Sequence, residues 1–129
     1  MRNENWIAIP IDFADDPKLY ALSDALKIDV CRAAGMIALI WMWMMNKAPE
    51  MGFVERVSPQ GLHRICLSPD DISPHRLLVA LRECDIIHWE GISQTLSVPD
   101  WRITQVAPLT VAAKKRADRE RKRKKRAQS

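Results

Sequence analysis

Ser73-Pro74-His75-Arg76-Leu77-Leu78-Val79-Ala80-Leu81-Arg82-Glu83-Cys84-Asp85-Ile86-Ile87-His88-Trp89-Glu90-Gly91 is the stretch on which the architecture turns. Serine followed by proline opens a helix: the hydroxyl accepts from free N–H groups, and proline's fixed φ suits the first helical position. Leu77, Leu78, Leu81 and Cys84 recur at helical spacing, which predicts a helix over 74–85 with these residues inward. His75, Arg76, Val79, Arg82 and Glu83 fall on the opposite face. Ile86-Ile87-His88-Trp89 follows at once, Glu90-Gly91 reads as a tight turn, and Ile92 to Val98 alternates. A β-hairpin is therefore expected over 86–98.

Working back from this helix, Ser68-Pro69-Asp70-Asp71 is a turn, and Ser58-Pro59 opens a helix over 59–67 with Leu62, Ile65 and Cys66 inward. Phe53 to Val57 reads as a short strand, set off by Pro49 and Gly52. Asp29 can cap a long helix reaching Asn46, in which every face from Ala33 to Met45 is apolar. That run is shorter than the roughly 20 residues a bilayer core needs, so a buried core helix is preferred over a dimer interface or amphipathic contact. Asp16-Pro17 opens the first helix, 17–27, with Leu19, Leu22 and Leu26 at helical spacing. Ile7, Ile9 and Ile11 alternate around Pro10, which predicts a short edge strand or an extended arm.

Helix, helix, short strand, helix, turn, helix, hairpin is the order of a winged helix-turn-helix, with 74–85 in the recognition position and 86–98 as the wing. The fold class expected is mainly α with a small β-hairpin, and a basic C-terminal tail. The domain would cover 1–108 and the tail 109–129. Thr110 can cap a final helix, but this segment has little to pack beyond Val111 and alanines, so alone in water it should be helical and frayed, or disordered.

Charge separates the two parts. Net charge is +4 over 129 residues, yet residues 1–110 hold ten Lys/Arg against fourteen Asp/Glu, whereas residues 111–129 hold ten Lys/Arg against Asp118 and Glu120. A mildly acidic body with a strongly basic tail points to a polyanionic partner. Lys114, Lys115, Arg116, Arg119, Arg121, Lys122, Arg123, Lys124, Lys125 and Arg126 are the candidate phosphate contacts. The tail has no interleaved aromatic for base stacking and no bulky apolar face for a membrane surface. Its bland reading is a solvated charge run that only aids solubility. On the 74–85 helix, Arg76 and Arg82 can reach guanines or phosphates, His75 sits in the first turn, and Ser73 can donate to a phosphate. Asp70, Asp71 and Glu83 oppose this contact, and Glu90 at the hairpin tip argues against a minor-groove wing.

Other chemistries are less well supported. Four glycines leave no phosphate-cradling loop. Three cysteines without dense spacing argue against a disulfide framework. The first residues, Met1 to Trp6, lack a secretory apolar run, so a cytoplasmic site in a bacterial or phage-infected cell is expected. His63-x-x-Cys66 and Cys84-x-x-x-His88 have the look of zinc half-sites, but Cys66 and Cys84 sit on inner helix faces, where free cysteine acts as a small apolar residue. Asp15-Asp16 and Asp70-Asp71 stand beside prolines where caps are needed, and no serine has an ordered base and acid. No enzyme activity, metal or cofactor is expected.

The body resembles the N-terminal winged-helix domain of phage replication-initiation (replisome-organiser) proteins, a group with DnaD-like relatives. The matching residues are Trp6-Ile7, Asp16-Pro17-Lys18-Leu19, Ala34-Gly35-Met36 with Leu39 and Trp41, Gly52-Phe53-Val54, Leu81 to Ile87 and Val98-Pro99-Asp100-Trp101. A basic run after the Asp-Trp pair is also similar, so the resemblance spans roughly residues 5–126. It implies non-enzymatic DNA binding in replication initiation, self-association, and helicase or loader recruitment through a second domain. The sequence given ends at Ser129 without room for that domain, so the expectation is a DNA-binding accessory or regulator, or a protein truncated relative to its relatives. Double-stranded DNA is the expected partner, with a homodimer and contacts to replication proteins also compatible, and no membrane. A winged-helix transcriptional regulator, a protein-interaction module with an incidental tail, and RNA in place of DNA stay open.

Overall fold

Four helices begin just after a short polar side chain, three of them with proline at the first helical position, where its missing N–H is not needed. In the computed structural model, which describes residues 6–128, Asp16 accepts from Lys18 N–H at 2.9 Å and starts α1 (Pro17–Leu26). Asp29 accepts from Arg32 N–H at 2.8 Å ahead of α2 (Val30–Lys47). Ser58 accepts from Gly61 N–H at 3.0 Å ahead of α3 (Pro59–Ile65), and Ser73 from Arg76 N–H at 3.1 Å ahead of α4 (Pro74–Glu83). Each such cap contributes about 1 kcal/mol. Met1 to Asn5, on which the reading about secretion rests, and Ser129 lie outside the described residues.

α1 packs on α2 and α4, and α3 on α4. Leu19, Leu22 and Leu26 meet Met36, Ile40 and Met44 of α2, Leu62 of α3, and Leu77 and Leu81 of α4 in one core. Burial of each such side chain stabilises by about 2 kcal/mol. α2 is not buried all round, contrary to its composition. Gly35, Met42 and Asn46 face solvent, because the elements packed on α2 (α1, α3 and the strand β1, Phe53–Val54) leave one side uncovered. Among the described residues no single helix is long and apolar enough to cross a membrane.

The β structure exceeds the expected hairpin. It is a three-stranded antiparallel sheet in the order β1-β3-β2, in which β1 is joined by β2 (His88–Glu90) and β3 (Thr95–Ser97). Leu96 pairs with Val54 on one side and Trp89 on the other. Trp89 also donates its indole N–H to the Val57 carbonyl at 2.9 Å. The hairpin turn is Gly91 to Gln94, not Glu90-Gly91. Glu90 ends β2 and its carboxylate accepts from Ile92 N–H and Ser93 N–H, both at 2.8 Å, which closes the longer loop.

Two further helices follow, α5 (Trp101–Thr104) and α6 (Val106–Ala127). Thr110 does not cap a helix start. It lies inside α6, and its hydroxyl donates to the Val106 carbonyl at 2.6 Å. The tail is helical to Ala127 because its first turn is docked, with Pro108 buried and Leu109 packed against the core. Alanine, lysine and arginine then favour propagation. Residues 6–10 form an extended arm and not a strand, and its alternating isoleucines do not share a buried face: Ile7 is half-buried, while Ile9 and Ile11 are exposed. The arm is held instead by Gln105, whose buried amide bonds both the N–H and the carbonyl of Ala8.

Candidate nucleic-acid interface

α4 presents its charged residues to solvent because its leucines take the inward positions. His75, Arg76, Arg82 and Glu83 are exposed, and Leu77, Leu78, Ala80 and Leu81 are buried. Ser73 is exposed, and its oxygen is engaged as the helix cap, leaving the hydroxyl proton as the group that can donate outward. α3 is fastened to the approach to α4 by His63. Its Nε2 lies 2.8 Å from the Ile72 carbonyl and 3.2 Å from the Pro69 carbonyl, so this nitrogen carries the proton and donates to both. His63 is thereby a structural tie between the two helices.

Arg82 comes together with the hairpin. It lines a shallow concavity of about 380 Å³ with His88, Trp89, Glu90, Gly91, Thr95 and Ser97. Thr95 and Ser97 were not legible as candidates from the sequence, and His88 stood out there only as half of a zinc-like pair with Cys84. The signal that could have found them is register, since His88 pairs with Ser97 and Glu90 with Thr95. His88 Nε2 is 3.1 Å from Asp85, whose other carboxylate oxygen is 3.7 Å from the Lys18 ammonium. Glu90 is exposed beside the hairpin turn and, being held as the carboxylate, still opposes a phosphate there. The Ser93 hydroxyl and the N–H groups of Ser93 and Ile92 donate to its carboxylate and hold its pKa below the usual range.

The cations of residues 114–126 are all exposed along α6, a span of about 18 Å at 1.5 Å per residue. Ten Lys/Arg against two carboxylates over that length give the arm a linear charge density comparable with duplex DNA, at one negative charge per about 1.7 Å. Arg116 pairs with Glu50, and Arg121 pairs with Asp118 one turn away. Lys114, Lys122, Arg123, Lys124 and Lys125 extend the positive surface, with Lys115, Arg119 and Arg126 among them. Glu50 lies in the connection after α2, where Trp101 donates its indole N–H to the Pro49 carbonyl at 2.8 Å and Arg102 donates to the Glu50 carbonyl at 3.0 Å. The base of the arm is thus anchored to the body.

Among the described residues no three His, Cys, Asp or Glu side chains converge. Burial pushes the Cys66 thiol up to about 12, and burial with the nearby Glu83 charge raises Cys84. Both changes oppose formation of the thiolate that binds metals or attacks substrates. Compared with family models, curated proteins and solved structures, the chain matches none.

Proposed function

We propose that this chain is a winged helix-turn-helix protein that binds double-stranded DNA without catalysing a reaction. The observation that carries the reading is α6, a long exposed helix whose charge density answers that of a nucleic-acid backbone. Like charges four residues apart on the same helix face repel one another, and phosphates laid along the arm relieve that repulsion. The assignment to the winged helix-turn-helix class is supported by strand order: β1 precedes the α3–α4 pair, the hairpin follows it, and β3 lies between β1 and β2. In this reading α4 enters the major groove with Arg76, His75 and Ser73, while Arg82 faces phosphate beside the hairpin. The resemblance to replisome-organiser N-terminal domains suggests a task in phage-type replication initiation.

Neutralising Lys122, Arg123, Lys124 and Lys125 to glutamine in the full chain tests the role of the arm. Affinity for unrelated duplexes should fall alike, and the dependence on salt should flatten by about 0.9 for each phosphate no longer engaged. Unchanged affinity would leave the arm incidental and favour a protein-interaction module. Equal binding to duplex RNA would remove the preference for DNA.

A further inference from the structure

On the body, a cleft of about 280 Å³ opens between residues 10–18 and the α2–α5 framework. Its apolar lining includes Phe13, Ile37, Trp41, Ile86 and Val98. The Phe13 and Trp41 rings meet there with centroids 5.4 Å apart and planes tilted by 53°. Asp12, Asp15, Asp16, Asp85 and Asp100 also line it, and among the described residues Lys18 is its sole cation, already paired with Asp85. Asp12 and Asp100 each precede a short helical turn without capping it through the side chain. Aromatic faces beside carboxylates suit a long aliphatic stem that ends in a positive charge, because the stem packs on the rings and the head meets both π-face and carboxylate.

We propose that this cleft receives a lysine or arginine of α6 from a second copy of the chain. Opposite charge on cleft and arm identifies the occupant. Geometry keeps the distal cations of the chain's own arm away: α6 starts two residues after Thr104, a cleft residue, and a continuous helix carries Lys122 about 24 Å from its own first residue, while Arg116 nearer the base is paired with Glu50. The contact is heterologous, arm into cleft, and closes into a dimer only if both arms engage reciprocally. It does not depend on the DNA reading, although a polyanion bound to the arm would compete with it.

Sedimentation of the full, nucleic-acid-free chain tests the proposal. At low salt the mass should rise toward twice that of one chain with concentration, and return to one chain in high salt. Asp12→Asn with Asp15→Asn and Asp100→Asn should weaken association by about tenfold, given a few tenths to 1 kcal/mol per exposed ion pair, while duplex binding persists. A charge exchange guards against misfolding. One chain carries Asp12→Lys, Asp15→Lys and Asp100→Lys; the other carries Lys122→Glu, Lys124→Glu and Lys125→Glu. Each should stay single alone, yet the two should pair when mixed. A parent chain that stays single at low salt, an asparagine variant that associates like the parent, or a mixture that fails to pair would each overturn the proposal. Loss of DNA binding alone would overturn the nucleic-acid reading and leave this one standing.

Discussion

Gln105 and Ala8, 97 positions apart, form a two-bond clasp: Ala8 N–H donates to Oε1 at 2.8 Å and Nε2 donates to the Ala8 carbonyl at 3.0 Å. The amide thus does for the arm what a neighbouring strand would do, from a fully buried position at the α5–α6 junction. Gln105→Leu leaves the clasp unmade and should cost about 2 kcal/mol in urea unfolding. Amide exchange at Ala8 should accelerate in the variant. Exchange unaltered at Ala8 would mean that the arm is held by other contacts.

Gly52 has φ +70, and a Cβ built there would lie 2.7–2.9 Å from the Trp101 side chain. Gly52→Ala therefore combines left-handed backbone strain with a clash against a buried ring, and should lose about 2–4 kcal/mol. A melting temperature within a degree of the parent would contradict this packing.

The raised thiol of Cys66 ties stability to alkaline pH. The unfolded thiol ionises near its ordinary value of 9.0, whereas the folded one holds its proton up to about 12. This contribution is fully present below pH 9 and is lost as pH rises toward 12, at up to about 1.4 kcal/mol per pH unit. Subtracting the profile of Cys66→Ala isolates the slope from tyrosine and lysine titration. Parallel profiles for the two proteins would place Cys66 outside the dry core. Exposed Cys31 should react first with a thiol reagent at neutral pH, and Cys66 only on unfolding.

Local chemistry was legible in the sequence. Asp16, Asp29, Ser58 and Ser73 cap N–H groups two or three residues ahead, so position in the chain suffices to read them, and the leucines of α1 and α4 follow from helical spacing. Long-range pairings were not legible, because nothing near Phe53 reports that it will face Ser97, or near Ala8 that it will meet Gln105. Thr110 and Glu90 misled for one reason. Each has the side chain of a familiar local role, but a docked helix start at Val106 and a four-residue turn assigned them other partners. The basic arm was plain from charge alone, while the cleft lined by Asp12 and Asp100 required folding to assemble.

Arg76 and Arg82 should separate two kinds of contact on α4. Arg76→Ala should relax preference at one base position and cost about 1–3 kcal/mol on the preferred duplex. Arg82→Ala should weaken all duplexes alike and reduce the salt slope by about 1. A selection from random duplexes followed by titration of both variants checks this; the reverse pattern would exchange the two roles.

The most direct test of the arm as a phosphate-binding element is the dissociation constant of the full chain for one duplex, measured from 50 to 200 mM salt. With six or more phosphates engaged, affinity should fall about a thousandfold over that range, along a straight line in logarithmic coordinates. Affinity that stays level across the range, or no binding even at the lowest salt, would contradict the account.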